Sequence, residues 1–246
     1  MSELNVMDVR KSFGTNLILD QVSLTVQDGE FVSLLGPSGS GKSTLFSLIG
    51  GVLVPDEGEI FLNGKNIIGQ RGKISYTPQA PALFPWRTVL QNVLLGQEIA
   101  GVKVEKYPAL EMLEKAGLKG YENHYPHELS GGMKQRVSFV RSLLSPQSFI
   151  CLDEPFSALD EFTRLEMQLW LQSLWLENKK SIFFITHNIE EALFLSDRII
   201  VLSKKPATVK KEIYLPFSRP RNKNLLLSEE FLTWKRIIYK ELEFSL

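Results

Sequence analysis

GPSGSGKST, from Gly36 to Thr44, is the stretch from which the rest of this chain can be read. Spelled out, it is Gly36, Pro37, Ser38, Gly39, Ser40, Gly41, Lys42, Ser43 and Thr44, so a glycine, four residues and Gly41-Lys42-Ser43 match a phosphate-binding loop. The context agrees: the apolar run EFVSLL enters the loop as a strand and a helical pattern leaves it. Glycines let backbone N–H groups turn inward around phosphate oxygens, and the helix N-terminus adds its positive dipole. Lys42 would offset charge on the β- and γ-phosphates and Ser43 would place its hydroxyl on Mg²⁺. A flexible Gly/Ser turn, the alternative, needs neither the strand nor the lysine.

Outward from the loop, SFICLD, SIFFIT and RIIVLS are short, apolar and β-branched like EFVSLLG, with helical patterns between them. That is the pattern of a parallel sheet buried on both faces. From Leu4 to Val26 and again at Glu59 to Leu62 the residues alternate, and Asn63-Gly64 is a hairpin turn signal, which predicts an antiparallel β portion beside the main core. Residues from about Thr88 to Ser142 read as a helical lobe that pauses at His124 to Ser130. After Pro216 and Pro220, Leu227, Phe231, Trp234, Ile238 and Leu242 recur at helical spacing, with Ser228 as N-cap. The expected division is a nucleotide-binding domain over residues 1–215, with its lobe at about 88–142, and a helical tail over 216–246.

Lys and Arg total 28 against 28 Asp and Glu, so no basic field points to nucleic acid as a partner. The single cysteine, Cys151, cannot form an internal disulfide, and its apolar surroundings predict a buried, inert thiol suited to a reducing cytoplasm. MSELNVMDVRKSF lacks the uncharged apolar stretch of a secretory signal, and nothing approaches the roughly 18 apolar residues of a spanning helix. If the protein serves a membrane, another chain provides the span.

Four more motifs follow in order: Gln79, LSGGM (Leu129 to Met133), the pair Asp153-Glu154 closing SFICL, and His187 after SIFFIT. Each has a plain alternative: a loop glutamine, an N-cap at Ser130, a solvated acidic loop leading into a helix at Pro155, a surface histidine. Together with the phosphate loop they resemble the ATP-binding cassette, the nucleotide-hydrolysing subunit of ABC transporters, over about residues 4–215. The resemblance implies an α/β P-loop NTPase core with a mostly parallel sheet, binding ATP and Mg²⁺. It implies that Asp153, Ser43 and Gln79 serve the metal, that Glu154 polarises the attacking water, and that His187 contacts the γ-phosphate. Lys42 counts with Glu154, His187 and Gln79 as catalytic. Ser130, Gly131 and Gly132 would complete the ATP site of a second subunit, an identical copy in the simplest case. SALD, from Ser157 to Asp160, would be the loop through which the two sense each other. Phe13 stands where the family places a tyrosine to stack on adenine; a core phenylalanine is the competing reading.

APALFPWRTVLQNV after Gln79, LDEFTRLEMQ from Leu159 and the RPR at Arg219 to Arg221 resemble the importer branch for nitrate, sulfonates, taurine and related anions, or thiamine precursors. That branch implies transmembrane permease subunits, an indirect extracytoplasmic substrate-binding protein, and a peripheral place on the cytoplasmic face of the membrane. Leu83, Phe84, Pro85 and Trp86 would form a groove for a short helix of the permease, or else a local core of the lobe. FVRSLLS after the signature and Cys151 depart from the branch. A soluble non-transport ABC ATPase of assembly or repair is the rival reading; a regulatory module that holds ATP without turnover is a second.

Overall fold

Two sheets with different surroundings share the chain, in a computed structural model that describes residues 3–157 and 159–242. Ala158 of the SALD loop and the outer ends of the two expected segments lie outside the described residues. The first half runs β1 (Leu4–Phe13), β2 (Asn16–Val26), β3 (Phe31–Leu35), α1 (Lys42–Ile49), β4 (Glu57–Leu62), β5 (Lys65–Asn66) and β6 (Ser75–Thr77). The lobe follows with α2 (Val89–Ile99), α3 (Lys106–Lys115) and α4 (Gly131–Leu144), then β7 (Phe149–Asp153) and α5 (Glu161–Asn178). The chain continues through β8 (Ser181–Ile185), α6 (Ile189–Leu195), β9 (Arg198–Leu202), β10 (Val209–Tyr214) and α7 (Glu229–Leu242).

The large sheet has the order β10-β9-β3-β8-β7-β6, parallel except for β10. Every residue of β3, β7, β8 and β9 is buried, which is why these strands read as continuous apolar runs. The smaller sheet, β2-β1-β4-β5, is antiparallel. Asn63 and Gly64, with φ of 53° and 71°, turn β4 into β5 and pair Leu62 with Lys65, as an Asn-Gly hairpin requires. Helix α1 lies between the sheets: Leu45 and Phe46 share one core with Leu24 of β2 and Phe183 of β8. On the other face, Phe139 of α4 and Leu171 and Trp175 of α5 pack on Phe31, Ile150 and Phe184.

One alternative reading falls away and one expectation needs correction. Pro155 does not open a helix; α5 starts six residues later, where Asp160 accepts the Thr163 N–H at 3.0 Å. Leu227 is not part of the tail's apolar stripe. It lies in a 3-10 turn, Leu225–Leu227, is 83% exposed, and gives its place to Leu225 and Leu226, because three residues per turn rotate the face out of step with α7. Strands β6 and β10 were not anticipated, one being three residues long and the other a half-exposed edge whose lysines and glutamate mask its period. The tail docks on the cassette: Phe231 and Ile238 are buried beside Leu193 and Ile213, and Ser228 caps α7 through the Phe231 N–H. Arg221, 4% exposed, donates to the carbonyls of Leu193, Phe194 and Ser196 at the end of α6, so packing runs across residue 215 without a break. Among the described residues no helix is long and apolar enough to cross a membrane.

Candidate functional site

Because β3, β6, β7 and β8 run parallel, the phosphate loop, the approach to Gln79, the Asp153-Glu154 pair and the approach to His187 all leave the same edge of the sheet. That carboxyl edge is where open α/β sheets bind ligands. The loop between β3 and α1 ends on Gly41 at φ 101°, where a Cβ would lie 2.8 Å from Ile18 Cγ2 and 2.9 Å from Leu19 Cδ2 of β2. Only glycine meets both demands. Lys42 Nζ donates to the carbonyls of Gly36 and Pro37, at 2.9 Å each, arching back over the loop. Burial pushes its pKa down while the charges of Glu154 and Asp153 oppose the fall. Residues 38–44 line a cleft of about 630 Å³ with Glu154, His187 and Lys205.

Asp153 ends β7, is 8% exposed and accepts a hydrogen bond from Tyr76 Oη of the neighbouring β6 at 3.1 Å. Burial pushes its carboxyl upward, the Tyr76 hydroxyl opposes this, the Glu154 charge adds to it, and Lys42 and Ser43 pull back. A carboxylate so placed is short of positive charge. Glu154 sits at φ 43°, in the left-handed region, held by its N–H to the Ile185 carbonyl at 2.9 Å. Its Oε2 is 3.1 Å from His187 Nδ1 across the gap between β7 and β8. The His187 backbone is braced by Asn188, whose N–H donates to Thr186 Oγ1 at 3.0 Å and whose Oδ1 caps α6.

The other expected residues lie off this cleft. Gln79 Nε2 donates to Ser157 Oγ at 3.0 Å, joining the loops that follow β6 and β7. Phe13 is 48% exposed at the end of β1, which removes the core reading, and Lys11 Nζ stands 5.7 Å from its ring centroid. Ser130 accepts the Met133 N–H at 3.3 Å as N-cap of α4, so the glycines that follow open a helix at the lobe, and none of Ser130, Gly131 and Gly132 lines the cleft. Within one chain the motifs therefore form two separate surfaces. Sequence reasoning missed Tyr76, Lys205 and a polar group behind His187, made of buried Thr186 and Glu191 with half-buried Arg164; none carried a local signal.

Residues 19–157 match the ABC transporter family. The chain belongs to that family. An aliphatic sulfonates import ATP-binding protein of Bacillus cereus is 39% identical over 235 residues, covering 96% of this chain and 92% of the relative. A taurine import ATP-binding protein of Escherichia coli O157:H7 is 41% identical over 220 residues, covering 88% and 86%. A dimeric ATP-binding cassette solved in a post-hydrolysis state with ADP and Pi superimposes with a TM-score of 0.74 at 33% identity, over 87% of this chain and all of that one. This ABC protein is thus a nucleotide-binding, ATP-hydrolysing cassette. Among the described residues no three His, Cys, Asp or Glu side chains converge as a metal cage. Buried Asp153 beside the Ser43 hydroxyl is instead the sparse oxygen set that suits Mg²⁺ when phosphates provide further ligands.

Proposed function

We propose that this cassette hydrolyses ATP at the cleft between the Gly36–Thr44 loop and the Glu154–His187 pair, and that it energises import of a small anion of the sulfonate or taurine kind. The observation that carries the site is the 3.1 Å approach of His187 to Glu154 opposite the loop that holds Lys42. Glu154 orients the attacking water and accepts its proton, and His187 keeps Glu154 and the γ-phosphate in register. Lys42 moves from its carbonyl partners to the phosphates and offsets charge there. Ser43, Gln79 and Asp153 would hold Mg²⁺, which supplies charge neutralisation at the phosphates. Phe13 stacks on the base.

Ser130, Gly131 and Gly132 do not line the cleft of their own chain; in this reading they complete the site of a second copy, and two nucleotides lie between two cassettes. The dimeric relative bound to ADP and Pi supports this arrangement. The names of the sulfonate and taurine relatives support the importer reading, with permease subunits in the membrane, the cassette peripheral on its cytoplasmic face, and a binding protein outside. Nitrate and thiamine-precursor-like solutes are the alternative cargoes. Residues 1–215 carry the chemistry and 216–246 brace it.

Phosphate release by the purified full chain, compared with Glu154→Gln, tests the site. Turnover near the wild-type rate in the variant would remove Glu154 from the role. Stimulation of the reconstituted complex by a sulfonate and its binding protein tests the cargo; stimulation by nitrate alone would overturn that part.

A further inference from the structure

Behind His187 lies a carboxylate that the reaction as described does not use. Glu191, in the first turn of α6, is 4% exposed; its Oε2 accepts from Thr186 Oγ1 at 2.5 Å and its Oε1 stands 3.5 Å from Arg164 Nε. Burial pushes its pKa up, and the Thr186 hydrogen bond and the Arg164 charge oppose the rise. Arg164 belongs to α5, and its guanidinium also donates to the carbonyls of Leu159 at 2.7 Å and Phe156 at 3.4 Å. Those carbonyls lie in the loop between β7 and α5, which begins at Glu154 and includes Ser157, the partner of Gln79.

The pair thus reaches two places at once. Through Thr186, whose hydroxyl also receives the Asn188 N–H, it grips the two residues that flank His187. Through Arg164 it grips the Phe156–Leu159 loop. Between these grips is a small polar cavity of about 40 Å³, with Glu154, Ser157, His187 and Glu191 among its walls, so little slack separates the two ends. An ion pair with Glu191 buried and Arg164 28% exposed, each also hydrogen-bonded to a fixed partner, favours one geometry and resists small displacements.

We infer that Glu191 and Arg164 are positioning residues that couple the bearing of His187 on Glu154 to the conformation of the Phe156–Leu159 loop. Movement of that loop against a second cassette is carried to His187 through the pair, so turnover depends on dimer closure at the scale of single side chains. The inference rests on the proposed roles of Glu154 and His187.

The test is steady-state ATP hydrolysis by the full chain as wild type, Glu191→Gln, Arg164→Met and the double variant, with thermal melting of each. Glu191→Gln keeps the volume and an acceptor for Thr186 while removing the charge that Arg164 meets. Each single change should lower kcat about tenfold with KM for ATP within about twofold, and the double variant should be no slower than the singles, because both remove one coupling. The Hill coefficient for ATP should fall in all three. Arg164→Lys, which keeps the charge but not the fork, should melt near the wild type with an intermediate kcat, and it is the decisive variant should the others fail to fold. A purely structural pair would lower melting temperature and leave kcat per folded molecule and the Hill coefficient unchanged; that result, or single losses that multiply in the double variant, would overturn the coupling. If Glu154→Gln were fully active, the site reading would fall instead, whereas an inactive Glu154→Gln beside a fully active Glu191→Gln would sink this inference alone.

Discussion

Glu154 occupies a backbone region that a residue with a Cβ enters at a cost of about 1–2 kcal/mol. The strain places its carboxylate toward His187 rather than along the strand. Glu154→Gln keeps that geometry and should cut turnover by about 10² to 10⁴ while ATP still binds and a stable dimer accumulates, as gel filtration with MgATP would show. Glu154→Gly should likewise be inactive yet more stable than Glu154→Ala by about 1 kcal/mol in equilibrium denaturation, since it relieves φ; equal stability of the two variants would mean the backbone is not strained. Lys180 is a second residue under tension. Its Nζ donates to the carbonyls of Ser145 at 2.6 Å and Gln147 at 3.0 Å, and burial pushes its pKa down to about 8. The folded value lies below the unfolded one, so between the two the unfolded chain binds more protons and stability rises with pH. Relative to Lys180→Met, the wild type should gain stability between about pH 8 and pH 10, by at most about 1.4 kcal/mol per pH unit. Denaturant titrations at the two ends of that window measure it, and a constant difference would contradict the shift.

At the scale of elements, α7 and the loop before α2 behave differently. Helix α7 covers Leu193 of α6 and Ile213 of β10 with Phe231 and Ile238, which are 1% and 0% exposed. Ile238→Ala should therefore cost about 2–5 kcal/mol by equilibrium denaturation while ATP affinity stays unchanged, because Ile238 does not line the cleft. Loss of ATP binding by the folded variant would show the tail is part of the nucleotide site. The loop from Pro81 to Arg87 is pinned from below: buried Asn92 accepts the Phe84 N–H and donates to the carbonyls of Phe84, Arg87 and Thr88, while Arg141 holds Pro81 and Ala82. What it presents is Trp86, 70% exposed and 5.1 Å from the Phe84 ring. A rigid base under exposed Trp86 and half-buried Phe84 suits a partner, and Leu83, packed on the lobe's core, suits the fold. Replacing Phe84 and Trp86 together with serine should weaken assembly with the permease by about 2 kcal/mol or more, read by copurification at reduced concentration. A large fall in melting temperature would instead assign both rings to the lobe's own core.

For the whole molecule, the separation of the signature residues from the cleft bears on the proposed pairing of two cassettes. The cleft holds the loop, Glu154 and His187, and the α4 N-terminus lies elsewhere. Mixing Lys42→Ala chains with Ser130→Arg chains should therefore restore hydrolysis that neither variant shows alone, since one of the two composite sites regains both halves. Confirmed heterodimers without recovery would mean that both sites must be intact for either to fire. The tail bears on the same assembly, because α7 rests on the helix that follows His187 and Lys235 pairs with Glu190 of that helix.

Local chemistry made much of this legible in advance. A strand buried on both faces is mostly apolar along its whole length, so β3, β7, β8 and β9 were legible as near-continuous runs, and the loop, the acidic pair and His187 followed from where those strands end. Asn63-Gly64 and Ser228 were readable because a turn and a cap depend on a few adjacent residues. Contacts between distant residues were not. The Tyr76 hydroxyl reaches Asp153 across 77 positions, Arg164 meets Glu191 from another helix, and Arg221 caps α6 from beyond the sheet, each through parallel strand order and helix packing that leave no mark in either segment. Edge strand β10 and the exposed Leu227 belong to the same class, since burial there depends on what lies alongside rather than on the residue itself. Sequence determined which groups stand at the sheet edge because periodicity and motif are local; tertiary structure decided how they are held because that depends on pairs of surfaces meeting.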